Sequence, residues 1–394
     1  MSRKSVVIIG AGAGGTILAN SLRKNAFDIT VIDKSDKHYF QPQFLYIAFK
    51  GSKENMVRNE RSLLKKHVKL VKESVSAVDL VNGIVKTVDG EYKYDYLVIA
   101  TGITSNASQI SGLAEINEKF GDYHTNVEQS KKVWKNLNGF NGGTIAIGQS
   151  YPLCKCPPSP LEGAFLTEEF INSKGLKDKT KIIFFTPYPR PYPAEKVNDE
   201  IEPLLKARGI EVRTFFDVDR IDAAGSTIYS IEGDSIKYDL PIIIPPCKGV
   251  SGIKYEPQSI LNTDNLIKVD KYTCRVEGFD NAFAIGDAAA IPTSKSGVDA
   301  HLEAKVVAKI LNGKDAKFDG RTHCPFDVGY GKGTFVIGSY DEPVIRYPIT
   351  HINLFMKHVM ARIYWGSLKG TYDDIFDIYF KETNPARLKK KYGK

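Results

Sequence analysis

Two cysteines one residue apart, Cys154 and Cys156, run straight into Pro157-Pro158-Ser159-Pro160-Leu161-Glu162. Each proline fixes φ and lacks an N–H, so this segment reads as a stiffened loop presenting a sulfur, neither helix nor central strand. Cys156 is the expected working thiol, because the prolines and Glu162 are placed relative to it. Glu162 reads either as a base handling thiol protons or as an acid in the first turn of a helix from Leu161 to Lys174. Cys154 reads as an accessory thiol or, more plainly, as a packed bystander. No cysteine pair has metal-ligand spacing with histidine, so no metal site is expected.

The elements that must position such a sulfur are legible around it. Val6 to Ile9 is an apolar strand followed by Gly10-Ala11-Gly12-Ala13-Gly14-Gly15 and a helical stretch from Thr16 to Lys24. A second strand, Asp28 to Asp33, ends on an acid. This is a βαβ dinucleotide-binding unit: Gly10, Gly12 and Gly15 let the backbone approach a pyrophosphate, the helix N-terminus stabilises its charge, and Asp33 accepts from a ribose hydroxyl. A strand from Tyr96 ends in Ala100-Thr101-Gly102, and one from Asn281 ends in Gly286-Asp287 ahead of a helix from Ser296 to Leu311. Together these segments resemble the FAD domain of the two-dinucleotide-binding-domain flavoproteins over roughly residues 1 to 311. The resemblance implies FAD, with Asp287 on its ribityl chain and the helix opening near Lys295-Ser296-Gly297 aimed at its ring system.

A second Rossmann-like domain is expected over residues 111 to 255. Its strand Gly143 to Gly148 continues into Gln149-Ser150-Tyr151-Pro152 instead of glycines, and the next, Lys181 to Phe185, ends on Thr186-Pro187 where a ribose or phosphate ligand would stand. The fold should persist and an NAD(P)H site should not. The cysteine loop occupies the place of the missing turn.

Here the resemblance narrows. Cys156-Pro157-Pro158-Ser159-Pro160-Leu161-Glu162 is similar to the cysteine-proline segment of sulfide:quinone oxidoreductases and flavocytochrome c sulfide dehydrogenases. Pro292-Thr293-Ser294-Lys295-Ser296-Gly297 resembles the segment after their GD motif, and His38 to Phe44, with Pro42, resembles the loop beside the flavin in the quinone-linked members. Cys324 to Phe335 resembles their second redox-cysteine segment. The resemblance implies oxidation of sulfide to polysulfide or sulfur through Cys156 and Cys324, with FAD passing electrons to a membrane quinone. Lys295 and Lys332 are candidates to stabilise the anionic reduced flavin, with a solvated loop lysine the alternative for Lys332. The quinone-linked members carry a further cysteine upstream; residues 1 to 153 hold none, and His124, in that region, reads as a surface histidine or as a contributor to proton handling. The rival readings are a type II NADH:quinone oxidoreductase and a catalytically silent membrane-bound flavoprotein. A flavocytochrome subunit is disfavoured, since Lys37 to Ala48 contains no cysteine for covalent flavin and the chain has no CxxCH haem motif.

The carboxy-terminal part carries apolar residues Ile352, Phe355, Met356, Val359, Met360 and Ile363 at helical spacing, with Lys357, His358 and Arg362 opposite. A second amphipathic stretch runs from Tyr372 to Phe380, with Trp365 between the two. From Lys357 to Lys394 nine basic residues face four acids, ending in Arg387-Leu388-Lys389-Lys390-Lys391. That pattern suits monotopic contact with an anionic membrane surface; packing on the chain's own core or on a dimer partner is the alternative. Quinone would enter there, with Tyr330, Phe335 and Phe355 as candidates to flank its ring.

Across the whole chain, 42% hydrophobic and 25% charged residues are globular values, and the net charge of +8 is not gathered with aromatics as a nucleic-acid partner would require. No leader and no apolar run long enough to span a bilayer are visible, so the expectation is a peripheral protein on the cytoplasmic side of the cell membrane, with homo-oligomers open to it. Cys247 and Cys274 read as structural. The expected architecture is α/β: an FAD-binding domain over 1–110 and 256–325, an inserted second Rossmann-like domain over 111–255, and a C-terminal quinone and membrane-contact region over 326–394.

Overall fold

Short apolar runs ended by glycine become buried parallel strands, the pattern expected where helices cover both faces of a sheet. The computed structural model describes residues 2–53, 56–342 and 344–383. In chain order its principal strands are β1 (Lys4–Ile9), β2 (Phe27–Asp33), β3 (Lys69–Lys72), β4 (Tyr96–Ile99), β5 (Gly143–Gln149), β6 (Thr180–Phe185), β7 (Glu211–Arg213), β8 (Leu240–Ile244), β9 (Ala282–Ala284), β10 (Thr322–Asp327) and β11 (Gly333–Gly338). The helices that reach the site are α1 (Ala13–Ser21), α2 (Gln43–Lys50), α3 (Ser159–Ser173), α4 (Gly297–Leu311), α5 (His351–Leu368) and α6 (Asp373–Glu382).

Two parallel sheets organise the chain. The first has the order β9-β4-β1-β2-β3 and the second β7-β6-β5-β8. Val6, Ile8, Val98, Ile99 and Ala284 are fully buried in the core of the first, and Ile145, Ile147 and Ile242 in that of the second. α1 starts at Ala13, within the glycine run and earlier than the sequence pattern suggests. Gly15 explains the close fit: a Cβ there would stand 2.0 Å from the Gly10 carbonyl oxygen. After α4 the chain forms an antiparallel pair, β10 with β11, in which Cys324 lies opposite Val336.

The terminal helices depart from the expected faces. Lys357, expected on the polar side of α5, is buried, while Ile352 and Phe355 are 72% and 60% exposed. The reason is electrostatic: the Lys357 ammonium passes over the Tyr46 ring to a buried carboxylate, described below. On α6, Phe376 and Phe380 turn inward and Ile375 and Ile378 are 59% and 64% exposed. Among the described residues no helix is long and apolar enough to cross a membrane. The basic run from Arg387 to Lys391 lies outside the described residues.

Candidate active site

One cavity of about 1060 Å³ runs from the glycine turn after β1, past the cysteine loop and the start of α3, to the terminal helices, at the upper end of the size range of small-molecule sites. Gly10, Gly12, Asp33, Pro42, Thr101, Gly102, Gly286, Asp287 and Lys295 line it, as do Cys156, Glu162 and Cys324. Gly15 does not; it packs α1 on the loop.

The nucleotide end fits a pyrophosphate. At Gly10 a Cβ would come within 2.3 Å of the Ala100 carbonyl oxygen, whereas at Gly12 it would meet no protein atom and would project into the opening a ligand needs. The first turn of α1 contains no acidic residue to compete for its N–H groups. Asp33 accepts from the Ala11 N–H at 2.7 Å and the Ser35 N–H at 2.8 Å, which fixes its carboxylate at the end of β2. Asp287, on the turn after β9, has its pKa raised by burial, with Lys155 and Lys295 pulling it back. The donor set and the open backbone suit FAD.

The sulfur end is built by three segments. Cys156 adopts a left-handed conformation, φ 52°, rare for a non-glycine residue and more so before a proline. Two backbone hydrogen bonds hold it there: its N–H donates to the Lys295 carbonyl at 2.8 Å, and its carbonyl accepts from Ser159 N–H at 2.8 Å. α3 begins immediately afterwards, at Ser159, two residues before the expected start. Cys324 enters from β10, 3% exposed, its sulfur 3.5 Å from the hydroxyls of Ser294 and Thr322. All five cysteines are free thiols. Burial, and then the proximity of Cys324 and Glu162, raises the Cys156 pKa well above its ordinary value; burial raises that of Cys324 to about 11.

Of the two readings the sequence left open, Glu162 is a first-turn acid of α3, and it lines the cavity that also holds Cys156 and Cys324. It is buried, accepts from the Asp327 N–H at 2.6 Å and is ion-paired with Lys357 of α5. Burial raises its pKa while Lys357 pulls it down. Burial opposes the Lys357 charge, yet Glu162, Tyr46 and Asp327 outweigh it and hold that pKa above its ordinary value. Lys295, also buried, donates Nζ to the Ala289 carbonyl at 2.5 Å, and burial lowers its pKa.

Several expected residues lie elsewhere. Tyr330 is outside the cavity, its hydroxyl bonded to Glu168 at 3.0 Å and its ring under Arg208. Phe335 is buried behind the wall, stacked on His323 with centroids 4.9 Å apart, and Phe355 is on the exposed face of α5. Phe335 is screened from the cavity by the His323 ring that lines it, and helical phase turns Phe355 outward. Lys332 is exposed on the turn between β10 and β11. Cys154 is buried beside Gln149, 3.6 Å from its amide oxygen, and does not line the cavity. His124 corrects the surface reading: it is buried at the cavity wall with Nε2 2.8 Å from Ser159 Oγ, and burial lowers its pKa to about 3.

Sequence reasoning did not single out His301, His323 or Tyr364, all of which line the cavity. His38, in a loop that was noted, bridges Glu60 and the Tyr364 hydroxyl at 2.7 Å each. No local pattern marks these residues, because they come together only through the packing of α4, β10 and α5.

A Rossmann-type nucleotide cradle facing a pair of cysteines across one cavity defines an FAD-dependent oxidoreductase. The model of the pyridine nucleotide-disulphide oxidoreductase family matches residues 4–309, and the chain belongs to that family. It is 29% identical over 392 residues to a mitochondrial sulfide:quinone oxidoreductase of Dictyostelium discoideum, covering 93% of this chain and 86% of the relative. It is 25% identical over 389 residues to a type II NADH:quinone oxidoreductase of Staphylococcus aureus, covering 87% and 91%. The solved sulfide:quinone oxidoreductase of Aquifex aeolicus superposes with a TM-score of 0.83 at 21% identity, covering 97% of this chain and 96% of that one, a likeness of fold.

Proposed function

We propose that this protein is a sulfide:quinone oxidoreductase, oxidising hydrogen sulfide to polysulfide or sulfur through Cys156, Cys324 and FAD and reducing a quinone. The observation that carries the reading is the convergence of Cys156 and Cys324 on one cavity whose other end is the nucleotide cradle.

HS⁻ attacks one sulfur of the oxidised cysteine pair, leaving a persulfide there and a thiolate on the other. A second HS⁻ removes the outer sulfur, so that two HS⁻ become HS₂⁻ with release of one proton and two electrons. Re-forming the cysteine disulfide releases that electron pair. Bound FAD would supply the two-electron chemistry that links the cysteine pair to quinone. Glu162 and Lys357 hold compensating charges in the cavity of the sulfurs, and Glu162 would take the proton of incoming sulfide. Gly10, Gly12 and Asp33 would hold the dinucleotide, Asp287 and Lys295 the flavin end.

The domain division given above supplies the frame: the FAD-binding domain holds the nucleotide and the inserted domain delivers Cys156. Exposed Ile352, Phe355, Ile375 and Ile378 support monotopic contact of the C-terminal region with an anionic bilayer on the cytoplasmic side, through which quinone would enter. Self-association is part of the proposal, and size measurement in detergent checks it.

The type II NADH:quinone oxidoreductase reading is disfavoured at the loop after β5. There Gly148 packs against β6, where a Cβ would stand 2.1 Å from the Phe185 carbonyl oxygen, and Ser150 Oγ donates to the Ile244 carbonyl at 2.7 Å. The test is anaerobic titration with sulfide, followed by decylubiquinone. Wild type should bleach its flavin and be reoxidised, while Cys156→Ala and Cys324→Ala should not bleach. Bleaching of both variants at the wild-type rate would overturn the cysteine route, and flavin reduction by NADH would favour the alternative.

A further inference from the structure

Behind Cys324 a short run of hydroxyls ends on a carboxyl group. Ser294 Oγ and Thr322 Oγ1 each lie 3.5 Å from the Cys324 sulfur and 2.6 Å from each other. Ser294 Oγ donates to Asp299 Oδ2 at 2.5 Å. Asp299 is fixed in the first turn of α4, where its N–H donates to the N-cap Ser296 Oγ at 3.2 Å. It is 1% exposed, and its second oxygen, Oδ1, is buried with no hydrogen-bond partner among the described residues. A charged carboxylate with one oxygen so placed is costly, whereas a neutral acid needs only one good contact. The site therefore favours a carboxyl group that takes up a proton readily.

We infer that Asp299 is a positioning residue for the redox thiol, accepting the Cys324 proton through the hydroxyl of Ser294. The Cys324 S–H proton passes to Ser294 Oγ as the Ser294 hydroxyl proton passes to Asp299 Oδ2. The S–H bond and the old Ser294 O–H bond break, and a new Ser294 O–H and an Asp299 O–H form. Negative charge moves from carboxylate to sulfur and no electron changes hands. Thr322 holds the serine oxygen and the sulfur in place. The reverse transfer reprotonates the thiolate.

The surroundings agree. Burial raises the Asp299 pKa to about 7, with Ser294 and Ser296 pulling it back and Asp287 adding to the rise. Lys295 supplies positive charge, and Glu303 of the same helix adds negative charge. Cys324 faces Asp299 from β10, and Tyr192 and Tyr340 feel its charge from neighbouring loops. α1, packed on α4, carries no titratable side chain. Burial, and then the charge of Asp299 itself, hold Cys324 far above neutrality; moving the proton onto Asp299 removes that repulsion, and an acceptor that titrates near neutrality is what would let the thiol react there.

The inference rests on reading Cys324 as a redox thiol and is independent of whether sulfide is the substrate. It is tested on the reduced, flavin-loaded protein by following iodoacetamide alkylation of Cys324 by peptide mass across a range of pH. In wild type the rate should rise through the titration of Asp299, near pH 7. Asp299→Asn should slow alkylation at neutral pH about a hundredfold, the low end for lost acid–base assistance, and move the rise to alkaline pH. Ser294→Ala should do the same, the double variant should be no slower than either, and Asp299→Glu should restore part of the rate. If Asp299→Asn does not retain flavin, Ser294→Ala decides. A wild-type alkylation profile in either variant overturns the relay. Failure of sulfide to bleach wild-type flavin alongside the expected alkylation profiles would overturn the proposed substrate and leave the relay standing.

Discussion

Lys357, on the C-terminal helix α5, is ion-paired inside the protein with Glu162, which stands six residues after Cys156. The helix that offers Ile352 and Phe355 to the outside thus supplies the counter-charge at the sulfur site. Neither partner is exposed enough for water to replace the other.

Breaking this pair from one side should be costly. Lys357→Met leaves a buried carboxylate uncompensated and should destabilise the protein by about 3–5 kcal/mol. Adding Glu162→Gln should recover a large part of that loss. Denaturant unfolding of the two single variants and the double one measures the coupling, and additive effects would show that the pair does not act as a unit.

The two cysteines of the loop should behave differently. Cys154 is buried beside Gln149 and off the cavity, so Cys154→Ser should retain sulfide-dependent flavin bleaching within about a factor of ten, whereas Cys156→Ser should abolish it. Stopped-flow absorbance of the flavin separates them, and equal loss in both would make the pair a working dithiol.

The exposed apolar residues of α5 and α6 should matter for the acceptor and not for the donor. Phe355→Glu combined with Ile378→Glu should release the protein from anionic liposomes in a flotation assay and lower turnover with a long-chain quinone. Bleaching of the flavin by sulfide should be unchanged. Unaltered flotation would assign these residues to another contact.

Acid should destabilise the fold through its buried histidines. Burial lowers the pKa of His124 and His323 to about 3 and that of His301 to about 4, against an ordinary value of 6.5. Between those values the unfolded chain binds protons that the folded one does not, so stability falls as pH drops below 6.5 toward 4. Each group contributes on the order of 1.4 kcal/mol per pH unit across its window. His323→Gln should flatten the slope of unfolding free energy between pH 6.5 and 4 relative to wild type; an unchanged slope would assign the acid sensitivity elsewhere.

The fold was legible wherever chemistry and chain proximity coincide. The β1–α1–β2 unit, the Gly286-Asp287 turn and the cysteine-proline loop are local patterns, and of the candidate site residues drawn from them Gly10, Gly12, Asp33, Gly286, Asp287, Cys156 and Glu162 line the cavity while Gly15 and Cys154 do not. The sequence misled where a side chain's direction depends on distant packing. Lys357 read as a solvated helix cation because its phase was judged from its own helix alone. Its partner lies 195 residues away, and burial of both ends is decided by how α5 settles on β10 and β11. His124 was taken for a surface residue for the same reason, and the ring candidates Tyr330, Phe335 and Phe355 were chosen by type where orientation decides.

The hydrogen bond from the Cys156 amide to the Lys295 carbonyl ties the two halves of the cleft together at the reacting sulfur. Widening the cleft to admit a bulky electron donor would break this latch first. A donor the size of HS⁻ would need no such widening, and slow hydrogen–deuterium exchange at the Cys156 amide would record that the latch stays shut.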